Sequence, residues 1–421
     1  MATRFSSPKN LTNNNVGAPI KVTSTVPFEI EVALLTGGFD KHYTFDLAKA
    51  LASKGVGMDV IGSDQLDSLE MHATPKLNFL NLRGNKEETD LARKISGVLI
   101  YYVRLIKYAV IAKPRVFHIL WNNKFEFFDR TLLMVYYRLL GKRIVFTAHN
   151  VNAGKRDSND SLFNRLTLNV QYLCADHIFV HTARMKHELL QDFGVPETKV
   201  SVIPHGINNS VPDTELSSAE AKQRLGIKDG ERTVLFFGAI RPYKGLEYLV
   251  DAFLGLAVTH PDYRLIIAGG RRKEAEKYLE EIQQTINRHI HRGQVLQKIQ
   301  HIPDEETELY FKAADVVALP YTHIFQSGVL FLAYSFGLPV VAADVGSLRE
   351  DIIEDRTGQL CRPRDPVDLA RAIEKYFESD LFKTLDRRRP EIREWAKSRH
   401  SWDTVGEITR NVYAELLGAR K

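Results

Sequence analysis

Short apolar, β-branched runs alternate with helical patterns along almost the whole chain. That alternation narrows the possible folds more than any other feature. IEVALLTGG (residues 30–38) leads into FDLAKALASKG, whose apolar residues recur at the i, i+4 spacing of a helix. The runs GMDVIGS, LNFLNL, VFHILW, RIVFTAHN, HIFVHT and KVSVIPHG follow, separated by helical stretches. Strand, helix and strand repeated in this way predict a mostly parallel sheet wound with helices. The rhythm breaks at residues 207–223, which are polar and carry no strand. It restarts with TVLFFGAI, RLIIAGG, VLQKIQHI, VVALP and PVVAADV. From Asp365 onward only helical patterns occur, ending in the amphipathic SWDTVGEITRNVYAELLG. The expected fold is α/β, with two Rossmann-like, doubly wound domains facing a central cleft. Ligands in such folds sit opposite the carboxyl ends of strands.

The length, 421 residues, exceeds what a single core usually takes. The expected division is a disordered tail over 1–27, an N-terminal domain over 28–208 and a hinge over 209–216. A C-terminal domain over 217–395 follows, with a final helix over 396–421 packing back on the first domain. The tail is rich in Asn, Ser and Thr and has no apolar core, so it does not read as a signal peptide. A formal charge of +5 suits anionic small molecules or an acidic membrane face. It lacks the clustered basic stripe of a nucleic-acid binder, so no nucleic-acid partner is expected. Two cysteines, Cys174 and Cys361, exclude a disulfide framework and fit a reducing cytoplasm. VLIYYVRLIKYAVIA (residues 98–112) is too short for a membrane span and is interrupted by Arg104 and Lys107. It reads as a buried helix of an α/β layer or as an interfacial helix on anionic lipid, flanked by Arg93, Lys94, Lys113 and Arg115.

Residues with chemistry cluster where the predicted strands end. Gly37 and Gly38 follow the first strand and let a phosphate or sugar approach the backbone, although paired glycines also serve plain turns. His149 and Asn150 end RIVFTAHN, where an imidazole is placed for hydrogen bonding or proton handling, or for a structural cap. Asp157 and Asp160 read as a solvated loop, because no third metal ligand is near. His289, His291 and His301 lack Cys or carboxylate partners at metal spacing, so no metal is expected. Arg241 and Lys244 stand before a helix, where two cations can hold a diphosphate or remain ordinary surface charges. LIIAGG contributes another glycine turn at Gly269 and Gly270. In ALPYTHIFQSGVLFLAYSF a helix opens on Gln326, Ser327 and Gly328 with no acidic residue. Its bare amides and dipole form an anion seat.

Taken in order, GAIRPYKGLEYLVDAF, YRLIIAGG, HIPDEETELYFKAADVVALPY, SGVLFLAYSFGLPVVAADVGSLREDI and TGQL resemble the retaining GT-B glycosyltransferases of family 4, the sucrose-synthase and mannosyltransferase group. The resemblance covers roughly residues 29–418. It implies that Gly37 and Gly38 face the donor diphosphate or sugar and that His149 orients sugar hydroxyls. It also implies that Lys244 binds the donor phosphates. The family's arginine directly after Gly238 is replaced by Ala239, which makes Arg241 the candidate substitute. Gly269 and Gly270 would lie near the nucleotide, and the backbone around Ile302 and Pro303 would recognise the base. Many relatives carry two glutamates eight residues apart, one near the donor sugar and one on the ribose. Those positions are Ile324 and Leu332 here, and neither accepts a hydrogen bond. What remains is the QSG variant, with the diphosphate on the Ser327, Gly328 and Val329 amides, Gln326 on the sugar, and Glu350 the candidate for the ribose.

The resemblance implies a retaining, metal-independent hexosyltransferase that needs no cofactor beyond its donor, a UDP- or GDP-type nucleotide sugar. The acceptor would be a glycan, a lipid-linked sugar or a small molecule held by the first domain, as in polysaccharide assembly. YYRLLGKR (residues 136–143) and residues 98–112 suit a lipid-linked acceptor at the inner membrane face, so peripheral contact with anionic membrane is an expected partner. Two alternatives stay open. One is a non-catalytic nucleotide-sugar-binding scaffold, favoured by the missing glutamates, and the other is a GT-B nucleotide-sugar epimerase.

Overall fold

The structure, a computed structural model, describes residues 30–37, 41–84, 91–156, 160–208, 211–271, 275–290 and 293–418. The tail, Gly38, Asp157 and His291 lie outside the described residues, as does Asn209 at the start of the expected hinge. The first sheet holds β1 (Glu31–Leu35), β2 (Gly57–Gly62), β3 (Leu77–Asn81), β4 (Val116–Ile119), β5 (Arg143–Thr147), β6 (His177–Val180) and β7 (Val200–Val202). Its order is β3-β2-β1-β4-β5-β6-β7. The second sheet holds β8 (Arg232–Phe237), β9 (Tyr263–Ala268), β10 (Val295–Lys298), β11 (Val316–Leu319), β12 (Val340–Ala343) and β13 (Gly358–Cys361), in the order β10-β9-β8-β11-β12-β13. All the strand pairs are parallel. Two doubly wound lobes are therefore present, as the alternation predicts.

Central parallel strands are covered on both faces, so they need apolar residues without a break. Val32, Ala33 and Leu34 in β1 and Val316, Val317 and Ala318 in β11 meet that demand, each with no exposed surface. The strand that sequence reasoning passed over is β13. Its GQLC run is short, sits at a sheet edge beside β12, and has too little apolar character to announce itself. The polar stretch before the second lobe ends at Ser217, whose side chain and Glu220 form a reciprocal capping box that starts the Ser218–Arg224 helix.

Helices cover both faces of the first sheet. On one face the Leu91–Ile111 helix buries Tyr101, Tyr102, Leu105 and Ala109 against β1, β4 and β5 side chains. Its opposite side leaves Leu99, Val103, Val110 and Ile111 exposed. The run at 98–112 is therefore not a fully buried helix: its outer side carries apolar residues as well, beside the exposed Arg104 and Lys107. Among the described residues no helix is long and apolar enough to cross a membrane.

On the other face lie the Lys41–Ser53 helix and the last helix, Trp402–Leu416. Val405, Val412 and Tyr413 join the same core as Val32, Leu34 and Leu47. The Tyr413 hydroxyl lies 2.5 Å from His118 Nδ1 under the first sheet. Trp402 Nε1 donates to the Ile207 carbonyl at 2.7 Å, and the Ile207 amide donates to the His400 carbonyl at 3.0 Å. The Trp402 ring lies against Gly206 so closely that a β-carbon there would stand 2.0 Å from it. The crossing between lobes is thus a packed joint.

Candidate active site

Both sheets reverse direction next to their first strand, between β1 and β4 and between β8 and β11. The loops leaving those strands open a crevice at each switch point, and the two crevices face each other. A cavity of about 360 Å³ lies between them. First-lobe walls include His42, Asp46 and Asn150, while Lys244 and residues 326–329 come from the second.

Lys244 closes a 3-10 turn that begins at Pro242, and Gly245 in the left-handed region then starts the Leu246–Thr259 helix. Its ammonium is carried inward: the side chain is buried, and Nζ lies 2.9 Å from where a β-carbon on Gly238 would stand. Burial, and secondarily the Arg241 charge, pull this ammonium down to about 8. Across the cavity the Gly328–Ser335 helix begins without a side-chain cap. Ser327 Oγ instead pairs with the Tyr321 hydroxyl at 3.2 Å, and no acidic residue stands in the first turn. A buried cation opposite an uncapped helix start is a seat for an anion. Arg241 lines neither cavity of the cleft, and its charge adds to the lowering of Lys244.

Gln326 extends from the same loop. Its Nε2 donates to Asp351 Oδ2 at 3.5 Å, and its Oε1 is buried with no partner among the described residues. Asp351, pushed up to about 6 mainly by burial, comes from the 3-10 turn Leu348–Asp351. Consecutive residues of a 3-10 turn point about 120° apart. Asp351 therefore faces inward while Glu350 is exposed and lines neither cavity. The candidate for the ribose contact, Glu350, thus stands outside both cavities.

The first-lobe floor is a stack of rings. Trp121 lies flat on His149, with centroids 4.2 Å apart, and Tyr43 stands edge-on to His149 at 4.7 Å. His181 Nδ1 donates to the Ile203 carbonyl at 3.3 Å, so its Nε2, 3.1 Å from His149 Nδ1, is the acceptor of that pair. Burial holds His181 down to about 3 and His149 well below the ordinary imidazole value, so both rings are neutral. His149 then carries its proton on Nδ1 and keeps a bare lone pair on Nε2. That atom is sealed from solvent and has no partner among the described residues. His149 sits just behind the cavity wall, one residue before Asn150. Gly37 packs under the same floor, where a β-carbon would stand 2.6 Å from the Trp121 carbonyl oxygen.

A second cavity of about 620 Å³ adjoins the first and is lined by Gly238, Gly269, Gly270, His301 and Ile302. Pro303 is set back as the N-cap of the Asp304–Ala313 helix. Leu332 lines both cavities and Ile324 the first, so the two positions where many relatives carry glutamate are walls here, and apolar ones. The second cavity does hold a carboxylate. Asp304 Oδ2 lies 2.5 Å from Lys41 Nζ, and its Oδ1 lies 3.1 Å from His42 Nε2, an ion-paired clasp between the lobes. Those partners hold the Asp304 carboxyl below its usual range. His42, Tyr43, Asp46 and Asp304 were missed from sequence. The signal was there: His42 and Asp46 are i, i+4 on a helix that starts just past the Gly37 turn. No group of metal-ligating residues occurs among the described residues.

Two Rossmann-like lobes meeting over an anion seat define the GT-B class of fold. Residues 41–211 match the model of Glycosyltransferase Family 4, and residues 231–379 match that of Glycosyl transferases group 1. Together these matches take in most of the chain, which belongs to the group 1 and family 4 glycosyltransferases. An uncharacterized glycosyltransferase of Methanocaldococcus jannaschii is 30% identical over 249 residues, covering 56% of this chain and 59% of that one. The D-inositol 3-phosphate glycosyltransferase of Corynebacterium diphtheriae is 27% identical over 364 residues, 80% of this chain and 81% of that protein. Among solved structures, sucrose-phosphate synthase from Thermosynechococcus elongatus superposes with a TM-score of 0.74 at 20% identity, over 93% of this chain and all of that one. Anabaena HepE in complex with UDP-glucose superposes at 0.70 with 19% identity, over 93% and 100% of the two chains.

Proposed function

We propose that the chain transfers a hexose from a nucleotide-diphosphate sugar to a glycan, lipid-linked or small-molecule acceptor, with retention at the anomeric carbon. The observation that carries this reading is the buried Lys244 ammonium facing the uncapped Ser327–Gly328 helix start across the shared cavity. The bond from the anomeric carbon to the diphosphate breaks, and the acceptor oxygen bonds to that carbon on the same face. The acceptor proton passes to the departing diphosphate oxygen, so no protein carboxylate base is needed. Lys244 and the Gly328 and Val329 amides stabilise charge growing on that diphosphate, which is the largest catalytic term in such chemistry. Arg241 adds positive potential from behind Lys244. Gln326 Oε1 and His149 Nε2, both acceptors without a partner among the described residues, are assigned to hydroxyls of the sugar. The base lies against Gly270 and Ile302, and the ribose against Leu332 and Asp304.

The chain acts in the cytoplasm on this reading, with peripheral contact to the inner membrane face when the acceptor is lipid-linked. Neutralisation by Lys244 and a helix dipole requires no metal, so turnover is expected to persist in excess EDTA. The scaffold alternative draws support from the apolar Ile324 and Leu332 walls. The test is a thermal-shift panel with UDP, GDP, ADP and CMP beside Lys244→Ala. UDP goes first, on the similarity to Anabaena HepE, which is described in complex with UDP and UDP-glucose. A specific nucleotide at ~100 times its Kd adds about 2.7 kcal/mol of stability. A shift with one nucleotide that vanishes in the variant supports the transferase. No shift with any nucleotide removes the diphosphate seat and moves the scaffold ahead. Hydrolysis of the donor to free sugar without an acceptor points to the epimerase.

A further inference from the structure

We infer that the outward face of four first-lobe helices, Leu91–Ile111, Glu126–Arg130, Leu132–Leu139 and Leu162–Cys174, docks on an anionic lipid bilayer. This rests on the transferase reading only for its purpose, the capture of a lipid-linked acceptor. The surface itself is argued from its own residues. Fifteen of the twenty exposed large apolar side chains among the described residues fall between 95 and 173. Single exposed apolar residues are ordinary, whereas a contiguous patch marks an interaction surface.

The patch is contiguous because the helices are tied to one another. Phe127 stacks on Phe163 with centroids 5.4 Å apart, joining the second helix to the fourth. The Tyr136 hydroxyl donates to the Ile106 carbonyl at 3.2 Å, and Arg138 Nη1 donates to the Cys174 carbonyl at 2.9 Å. The apolar cover runs from Leu162, 88% exposed, to Leu139, 81% exposed, at the far end. None of the three long helices contains an aspartate or glutamate, while Arg93, Arg104 and Lys107 are exposed on the first. The three long helices bring exposed cations and no acid to this face, and Glu126 of the short helix is paired with Arg130, so the face is net basic and is drawn to anionic headgroups. Among the described residues no helix is long and apolar enough to span a bilayer, so the contact is interfacial. Its place matters as well. The segment after β4 runs from Trp121, stacked on His149, to the exposed Phe125 and Phe127 within six residues. The apolar rim thus begins at the floor of the cleft, and an acceptor whose lipid stays in the bilayer enters there.

The experiment uses the full chain with vesicles of phosphatidylcholine alone or mixed with phosphatidylglycerol, read by co-sedimentation at low and high salt. Wild type is expected to bind the mixed vesicles, and less so at high salt. Phe127→Glu with Phe163→Glu is expected to lower binding about tenfold or more, as anchoring scales with buried apolar area. Arg104→Gln with Lys107→Gln is expected to weaken it roughly 25-fold, about fivefold per cation. These side chains are exposed, and an unchanged circular dichroism spectrum verifies the fold. The inference is overturned if wild type stays in the supernatant with mixed vesicles at low salt, or if neither pair of substitutions changes binding. It is also overturned if sedimentation velocity shows a dimer that the phenylalanine pair dissolves. The nucleotide shift reads the transferase reading separately. Vesicle binding without any nucleotide shift sinks that reading and leaves the docking surface standing.

Discussion

Lys244 carries the strongest consequence at the scale of single residues. Its ammonium titrates near 8 when the cavity is empty, because burial costs more than the protein returns. The unfolded chain therefore holds more protons than the folded one between about 8 and 10.5. In that window the unliganded protein gains stability from this group as pH rises. A bound diphosphate does the reverse by favouring the ammonium. Nucleotide affinity is expected to be flat below pH 8 and to fall above it. Calorimetry at pH 8.5 in two buffers of different ionisation enthalpy should show proton uptake on binding, absent in Lys244→Ala. Removing the side chain should lower kcat by about 10²- to 10³-fold, the usual effect of deleting one charge-stabilising donor. Near-normal turnover in a folded variant would take Lys244 out of the mechanism. The imidazole pair makes a second prediction. Long-range nitrogen–proton NMR should find His149 in the Nδ1-protonated tautomer, and His181→Phe, which deletes its acceptor, should release it. An Nε2-protonated His149 in the wild type would refute its role as the acceptor from a sugar hydroxyl.

At the scale of elements, the alternation of runs announced the two sheets because buried parallel strands cannot hide their apolar residues. Lys244 and the QSG helix start were visible for a related reason, since anion seats form where strands hand over to helices. What stayed hidden depended on rotation about an axis or on packing at a distance. Glu350 and Asp351 are neighbours in sequence, and only the phase of a 3-10 turn decides which one faces Gln326. Asp304 comes from the second lobe and meets Lys41 and His42 of the first across more than 260 residues. No local pattern encodes such a meeting. Gly206 belongs to the same category, because its need to be glycine is set by the Trp402 ring. Gly206→Ala should force that ring out of the joint and cost about 1–3 kcal/mol, the range for overpacking a tight site. Chemical denaturation measures this, and an unchanged midpoint would show that the joint yields freely.

For the molecule as a whole, the chain crosses between the lobes twice, before the second sheet and again ahead of Trp402, and the Trp402 joint and the Asp304 clasp tie the lobes further. The clasp is partly exposed, so its strength is modest, about 1 kcal/mol or less. Asp304→Asn should nonetheless shift the lobes toward an open arrangement. Small-angle scattering should report a larger radius of gyration without nucleotide and recovery of the compact form with it. A radius that does not change would show that the clasp does not set the spacing. The last helix has one further consequence. Tyr413 meets His118 across 295 residues, and Val405 and Val412 complete the core beneath β1. A ribosome adding about 5–20 residues per second needs roughly 15–60 s to make that span. The lobe that emerges first must therefore wait, with one face of its sheet only partly covered by the Lys41–Ser53 helix, until the Trp402–Leu416 helix is made. The second lobe has its whole sheet in hand before the first can be finished.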